Sequence, residues 1–243
     1  MDASRGGQRG GAGDRPEAPL EEVPLEDLHQ VMRCAPTTRR FRPDPVPAPA
    51  VHRALDAARF APSGGNRQPW RVVVVDDPAL RARIGELYLP HWRAYLERRG
   101  VSELLASGGQ DPRLSGLRAA DHFAAHLGQV PLHLLVCAEL PALAIVDLEL
   151  ARPSIVGGAS IYPFVQNVLL GLRREGLGAA FTTLLTPAEP EVSELVGLPE
   201  GVALAGHIAV GWRAGAWPRR LSRRPVEEFA FANRYGQRWE PAP

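Results

Sequence analysis

The stretch APSGGNRQPWR, residues 61–71, sets two glycines and a group of polar side chains between an amphipathic helix and four consecutive valines. The glycines allow close backbone approach. Ser63, Asn66 and Gln68 carry hydroxyl and amide groups that both donate and accept, which suits the edge of a heterocycle. Trp70 can anchor the end of the loop. A Gly-rich polar loop is ordinarily a turn, so its meaning depends on what flanks it. Upstream, residues 51–60 place Val51, Leu55 and Ala58 on one face at helical spacing, and Pro62 with the paired glycines ends that helix. Downstream, RVVVVDD (71–77) is expected to be a strand covered on both faces rather than an edge with one wet side.

Working outward, residues 25–32 form a short helix, and residues 78–96 form a longer one broken or kinked near Pro90. Residues 97–116 are an irregular cover, followed by a further helix. VPLHLLVCAEL (130–140) is the second apolar strand. SIYPFVQNVLLGLRREG (160–176) is a helix turning Ile161, Phe164, Val165, Val168, Leu169 and Leu172 inward, a face broad enough for a central position, with Gly176 as its terminator. AAFTTLLT (179–186) is a third strand, after which Thr186, Pro187 and Glu189 have the spacing of a capping box. VALAGHIAVGW (202–212) is the fourth. Helices interleaved with apolar strands make a layered α+β or α/β domain. The aromatic tail either packs on its own core or reaches another subunit.

The 243 residues, 45% hydrophobic, suffice for one sizeable domain, and a net charge of +1 offers no electrostatic reason for a nucleic-acid or anionic-membrane partner. Gly, Pro and charge dominate the N-terminus, so residues 1–24 are expected to be a disordered leader without the apolar core of a signal peptide. No apolar run is long enough to span a bilayer, and a cytoplasmic location is expected. Of two cysteines, Cys137 lies in an apolar run as a buried free thiol. His122 and His126 share a helix face, but no third ligand follows at a zinc-like interval, so no metal site is expected. Ser160 is no nucleophile elbow, because Tyr162 stands where glycine is required. Dinucleotide and phosphate-loop fingerprints are missing, and no acidic pair stands out. No catalytic side chain is therefore named.

Two basic runs remain, TTRRF (37–41) and RRLSRRP (219–225), each beside Ser or Thr. Brought together they would suit a phosphate, which takes arginine forks and hydroxyls; a solvated face is the plainer account.

In combination these segments resemble the flavin-dependent nitroreductase family. TTRRFRPDPVP is similar to its N-terminal flavin-phosphate motif, and ARFAPSGGNRQPWRVVVVDDP to its most recognisable segment. ASIYPFVQNVLLGLRREGLGAAFTT resembles its central helix with the loop and strand lining the isoalloxazine. GHIAVGW followed by SRRPVEEF resembles its closing strand and C-terminal phosphate arginine. The resemblance runs in order from about residue 28 to 236. It implies an α+β fold with a mixed, mainly antiparallel sheet flanked by helices, over one domain (25–243) with a variable cover at about 86–126. It also implies an intertwined homodimer with FMN at the interface. Thr37 and Arg39 match the N-terminal motif. Pro62, Ser63 and Asn66, beside Gln68, match the loop that closes over the flavin, often from the partner chain. Thr182 and Thr183 match the stretch approaching the ring near N5, and Arg223 the phosphate arginine.

Many members begin the first motif with paired arginines, where this chain has Ala35 and Pro36. A lost charge-assisted contact costs about 1.5–3 kcal/mol, and Arg40 or Arg33 is the expected substitute. The implied activity is hydride transfer from NADH or NADPH to FMN, then electron transfer to a nitroaromatic, quinone or similar small acceptor. Tyr88, Trp92 and Tyr95, with His91, either stack on that acceptor or pack a helix against the core. Relatives that fragment their own flavin to make the lower ligand of vitamin B12, reductive dehalogenases, and a flavin binder without turnover stand as alternatives.

Overall fold

The computed structural model describes residues 27–106, 111 and 114–239, so the leader lies outside the described residues. Elements follow in the order α1 (Leu28–Cys34), α2 (Ala48–Ala58), β1 (Trp70–Val75), α3 (Pro78–Arg98), α4 (Ser102–Ala106), α5 (Ser115–Ala125), β2 (Leu132–Glu139), α6 (Tyr162–Arg174), β3 (Leu177–Thr182), α7 (Glu189–Val196) and β4 (Val202–Trp212). The strands pair antiparallel in the order β1-β2-β4-β3. One parallel bridge, Thr37 to Ala179, lays the N-terminal segment along β3. This is the expected α+β class.

Alternating side chains give the sheet two apolar faces. Leu134, Val136, Ile208 and Val210 meet α2 and α6, while Leu135, Cys137 and Ala209 meet α3, α5 and α7. The run LHLLVCA is buried throughout because β2 is central and both its faces are covered. Ile161, Phe164, Val165, Val168 and Leu172 point inward from α6 as expected, with Leu169 partly buried. Gly176 lies just beyond that helix at φ +77°.

Five local expectations need correction. The valine strand β1 is an edge, with Val74 47% exposed; β-branched side chains favour extended backbone whether or not a second layer covers them. Helix α3 runs unbroken through Pro90, since Ile84, Tyr88, Trp92 and Leu96 are buried on either side of it and hold the helix to the core. Its start is capped by Asp77 Oδ1, which accepts from the N–H groups of Ala79 and Leu80 at 2.9 Å each. The capping box does not form: Thr186 Oγ1 donates to Thr183 O at 2.8 Å, and Glu189 Oε2 accepts from Leu204 N at 2.6 Å, tying α7 to β4 instead. Strand β3 begins at Leu177 and ends at Thr182, because residues beyond it turn toward α7. Finally, the tail does not pack on its own core: Phe229 is exposed and Tyr235 is 94% exposed. No helix among the described residues is long and apolar enough to cross a membrane.

Candidate functional site

The site is built where the N-terminal segment meets β3. Thr38 N donates to Ala179 O at 2.8 Å, and Arg42 N to Trp212 O at 2.8 Å. Such contact requires Gly178, since a Cβ there would stand 2.7 Å from Thr38 Oγ1. On the other side, Ala214 N donates to Arg40 O at 3.0 Å and Leu221 N to Arg33 O at 2.7 Å. The chain after β4 therefore runs back along the N-terminal segment, touching it at Arg40 and again, from within the second basic run, at Arg33.

At the Thr182 end of this seam the Tyr88 hydroxyl lies 3.4 Å from Thr182 Oγ1, which also accepts from Leu184 N at 3.1 Å. Burial pushes the Tyr88 phenol above its ordinary range, and the Thr182 hydrogen bond and the Arg39 charge draw it part-way back. Tyr88 is thus a neutral hydroxyl at physiological pH. Arg39 and Arg40 line a groove with His122, Phe123, His126 and Gln129. The two histidine rings lie tilted at 38° with centroids 4.1 Å apart, and His122 is held below its usual pKa, mainly by desolvation, then by the His126 and Arg40 charges. Thr183 is exposed, its carbonyl occupied by Thr186.

The loop at 61–69 is held from inside. Trp70 is buried and stacks on Phe164 with centroids 4.9 Å apart and planes at 7°. Ser160 Oγ accepts from Gly64 N at 3.0 Å, which explains that buried serine without any nucleophilic role. Ser63 Oγ accepts from Gln68 N at 3.0 Å, and Gln68 Nε2 reaches the Asn66 carbonyl and side chain. Gly65 has φ +60°, but so do non-glycines nearby, Asn66 at +54° and Gln68 at +50°. Left-handed backbone at two amide residues is costly and persists where the surroundings over-determine it, a pattern common at ligand clamps. Pro62, Asn66 and Gln68 face solvent.

The structure thus gathers Thr37, Arg39, Arg40, Tyr88 and Thr182 along one seam. Among the described residues no hydrogen bond or ion pair joins the loop at 62–68 to that seam within one chain. Arg223 is exposed and donates to Ser222 O at 2.7 Å. Trp92 and Tyr95 stack at 5.6 Å, and Trp92 Nε1 donates to Asp121 Oδ1 at 2.8 Å, so the buried Trp92 serves the packing of α3 on α5 rather than a ligand. His91 is half-buried beside them. No group of His, Cys, Asp and Glu suited to a metal occurs among the described residues.

One functional group escaped sequence reasoning. Arg173, in the last turn of α6, is buried and donates from Nε to Cys34 O at 3.3 Å, with its guanidinium 3.8 Å from the Trp217 ring centroid. A signal existed: position 173 continues the 161, 165, 169 stripe at four-residue spacing, so this arginine falls on the inward face.

The nitroreductase family model matches residues 36–212, spanning the N-terminal segment, the loop, the sheet and α6. The chain belongs to the nitroreductase family. As a family member it is similar to the 5,6-dimethylbenzimidazole synthase of Rhodobacter capsulatus, 28% identical over 79% of this chain and 86% of that protein. It is 32% identical to the NADH dehydrogenase of Thermus thermophilus, over 79% of this chain and 89% of that protein. Among solved structures, iodotyrosine deiodinase bound to FMN and 3-iodo-L-tyrosine superposes with a TM-score of 0.64 at 26% identity, covering 87% of this chain and all (100%) of that one.

Proposed function

We propose that this protein is an FMN-dependent oxidoreductase that takes hydride from NADH or NADPH and delivers electrons to a nitroaromatic, quinone or similar small acceptor. The observation that carries this is the seam itself. The first basic run lies along β3, the chain after β4 returns to that segment at Arg40 and Arg33, and the Tyr88–Thr182 hydroxyl pair stands next to Arg39.

The residues fit FMN. Its phosphate suits a neighbourhood rich in guanidinium groups, and its heterocycle suits a hydroxyl and amide donor set. Thr37, Arg39, Arg40, Thr182 and Thr183 would hold it from one chain. Bound FMN supplies two-electron hydride chemistry, so no side-chain nucleophile is needed. Arg39 contributes positive charge near the hydroxyl pair, and neutral Tyr88 contributes a donor in a water-poor setting.

The loop carrying Pro62, Ser63, Asn66 and Gln68 serves the site of a second copy in a homodimer. Support comes from exposed apolar side chains that a monomer leaves in water: Val146, Leu148, Leu150, Ile155, Phe229 and Tyr235. The intervening turn is rigid, since Asp147 accepts from Ser154 Oγ at 2.6 Å, Arg152 at 2.7 Å and Ile155 N at 3.1 Å. The proposed place of action is the cytoplasm.

Protein purified from cells should be yellow and dimeric, and one nicotinamide should bleach it without oxygen. A colourless monomer that stays colourless with excess FMN would sink the reading. A second reading, flavin fragmentation, draws support from the similarity to the 5,6-dimethylbenzimidazole synthases of Rhodobacter capsulatus and, at 30% identity, Rhodospirillum rubrum. Assaying the benzimidazole product from reduced FMN and oxygen separates the two.

A further inference from the structure

Arg173 is only 6% exposed, yet among the described residues it has no carboxylate within ion-pair distance. Its Nε bond to Cys34 O and its stacking on Trp217 leave the positive charge itself without a counterion. A second guanidinium, Arg213, stands 5.7 Å from the same ring, donates to Ala216 O at 3.0 Å, and is likewise without a carboxylate. Burial, and then the Arg173 charge, draw the Arg213 pKa down, so the two cations feel each other. Burying like charges together is costly unless an anion joins them.

Room for that anion exists. Arg173 and Trp217 line a cleft of about 70 Å³ with Ala35, Pro36 and Thr37. Leu221 N meets Arg33 O just before Ala35, so the chain carrying the second basic run passes near the N-terminal wall of the cleft. Its remaining walls, Leu169, Leu177, Ala179 and Phe181, are apolar, which strengthens any charge–charge contact made inside. Ala35 and Pro36 themselves bring no charge. The donor set in the cleft, the Arg173 guanidinium fork and the Thr37 hydroxyl, matches a phosphate monoester, with Arg213 adding positive charge from across the Trp217 ring.

We propose that Arg173 anchors the phosphate of FMN in this chain, replacing from the C-terminal end of α6 the charge missing at Ala35 and Pro36. This rests on the FMN reading above. It differs from the sequence expectation, which gave that task to Arg40, Arg33 and Arg223. Neither Arg40, which lines the histidine groove together with Arg39, nor Arg223, which lies on the surface, is among the residues lining this cleft.

The test compares flavins that differ only in the phosphate. The full-length protein, stripped of flavin, is titrated with FMN and with riboflavin by fluorescence quenching, alongside Arg173→Gln and Arg173→Lys. Inorganic phosphate is titrated as a competitor. Wild type should prefer FMN. Arg173→Gln should weaken FMN at least tenfold and leave riboflavin within twofold, roughly the loss expected for one charge-assisted contact. Arg173→Lys, which keeps the charge but not the fork, should fall between, and it decides the matter alone if the glutamine variant does not fold. Phosphate should compete with FMN, more weakly in the variants, and not with riboflavin.

A merely structural arginine would lower both flavins together. An FMN-to-riboflavin ratio unchanged in the folded variants overturns the anchor while leaving the cofactor assignment intact. A wild type that binds phosphate but neither flavin overturns the cofactor assignment as well.

Discussion

Between pH 6.5 and about pH 5 the folded chain is expected to lose about 2 kcal/mol of unfolding free energy through His133 alone. His133 and His207 are fully buried on the central strands β2 and β4, with His207 Nε2 and His133 Nδ1 2.8 Å apart and rings stacked at 4.8 Å. Among the described residues their outer nitrogens, His133 Nε2 and His207 Nδ1, make no well-formed hydrogen bond, although the backbone of Leu127 and Val130 lies close enough to His133 to oppose part of its pKa lowering. A proton added to the pair would have to sit in the core. Desolvation, then the Arg81 charge, lowers the His133 pKa to about 4, and desolvation with the neighbouring imidazole depresses His207.

The sign follows directly. These bases have folded pKa values below their unfolded ones, so the unfolded chain binds more protons as pH falls through 6.5. Stability is then fully present above pH 6.5 and drains as pH drops toward about 4 for His133, with His207 acting in the same direction. Urea unfolding at a series of pH values above the carboxylate range should give free energies that rise with pH. A flat profile across that window would contradict the neutral buried pair. Because His207 pairs in register with Thr182, acid loosening of this core should reach the site residue.

Phe164→Ala should cost about 3–5 kcal/mol, a large share of the roughly 5–15 kcal/mol that holds an ordinary domain folded. Phe164 is buried on α6, against the sheet and against Trp70, so truncation leaves a cavity and also removes a near-parallel ring stack. The effect should reach the loop at 61–69, because Trp70 is the residue at which that loop enters β1. Urea midpoints measure the loss, and near-ultraviolet circular dichroism reports the indole environment. A loss under 1 kcal/mol with an unchanged spectrum would mean that the site collapses around the gap and the stack does not hold the loop.

Much of this molecule was legible in one sequence, for identifiable reasons. The central strands β2 and β4 announced themselves as continuous apolar runs because they are covered on both faces. Helix α6 was legible because its inward face follows helical spacing, and the loop at 61–69 because two glycines and three amide or hydroxyl side chains interrupt apolar segments. Four motifs in order carried the family, which the match over residues 36–212 bears out.

What escaped depended on neighbours that local pattern does not encode. The valine strand has the same propensity at an edge as in the middle, so only strand order revealed it as β1 at the rim. Thr186 and Glu189 have capping-box spacing, yet Thr183 and Leu204 supplied competing partners from the preceding turn and from β4. Trp92 and Tyr88 share one helix, but Asp121 on α5 claims the first for packing and Thr182 on β3 brings the second to the site.

The sequence by itself determined the class of elements, the family and the chemistry of the loop, because these follow from periodicity, turn residues and side-chain type. Only the tertiary structure decided which charges share a cleft. Arg173 and Trp217 are far from Ala35 in the chain, and their proximity comes from packing α6 against the N-terminal segment and the stretch that follows β4. Electrostatic energy depends on distance and burial, and neither is written in the order of residues.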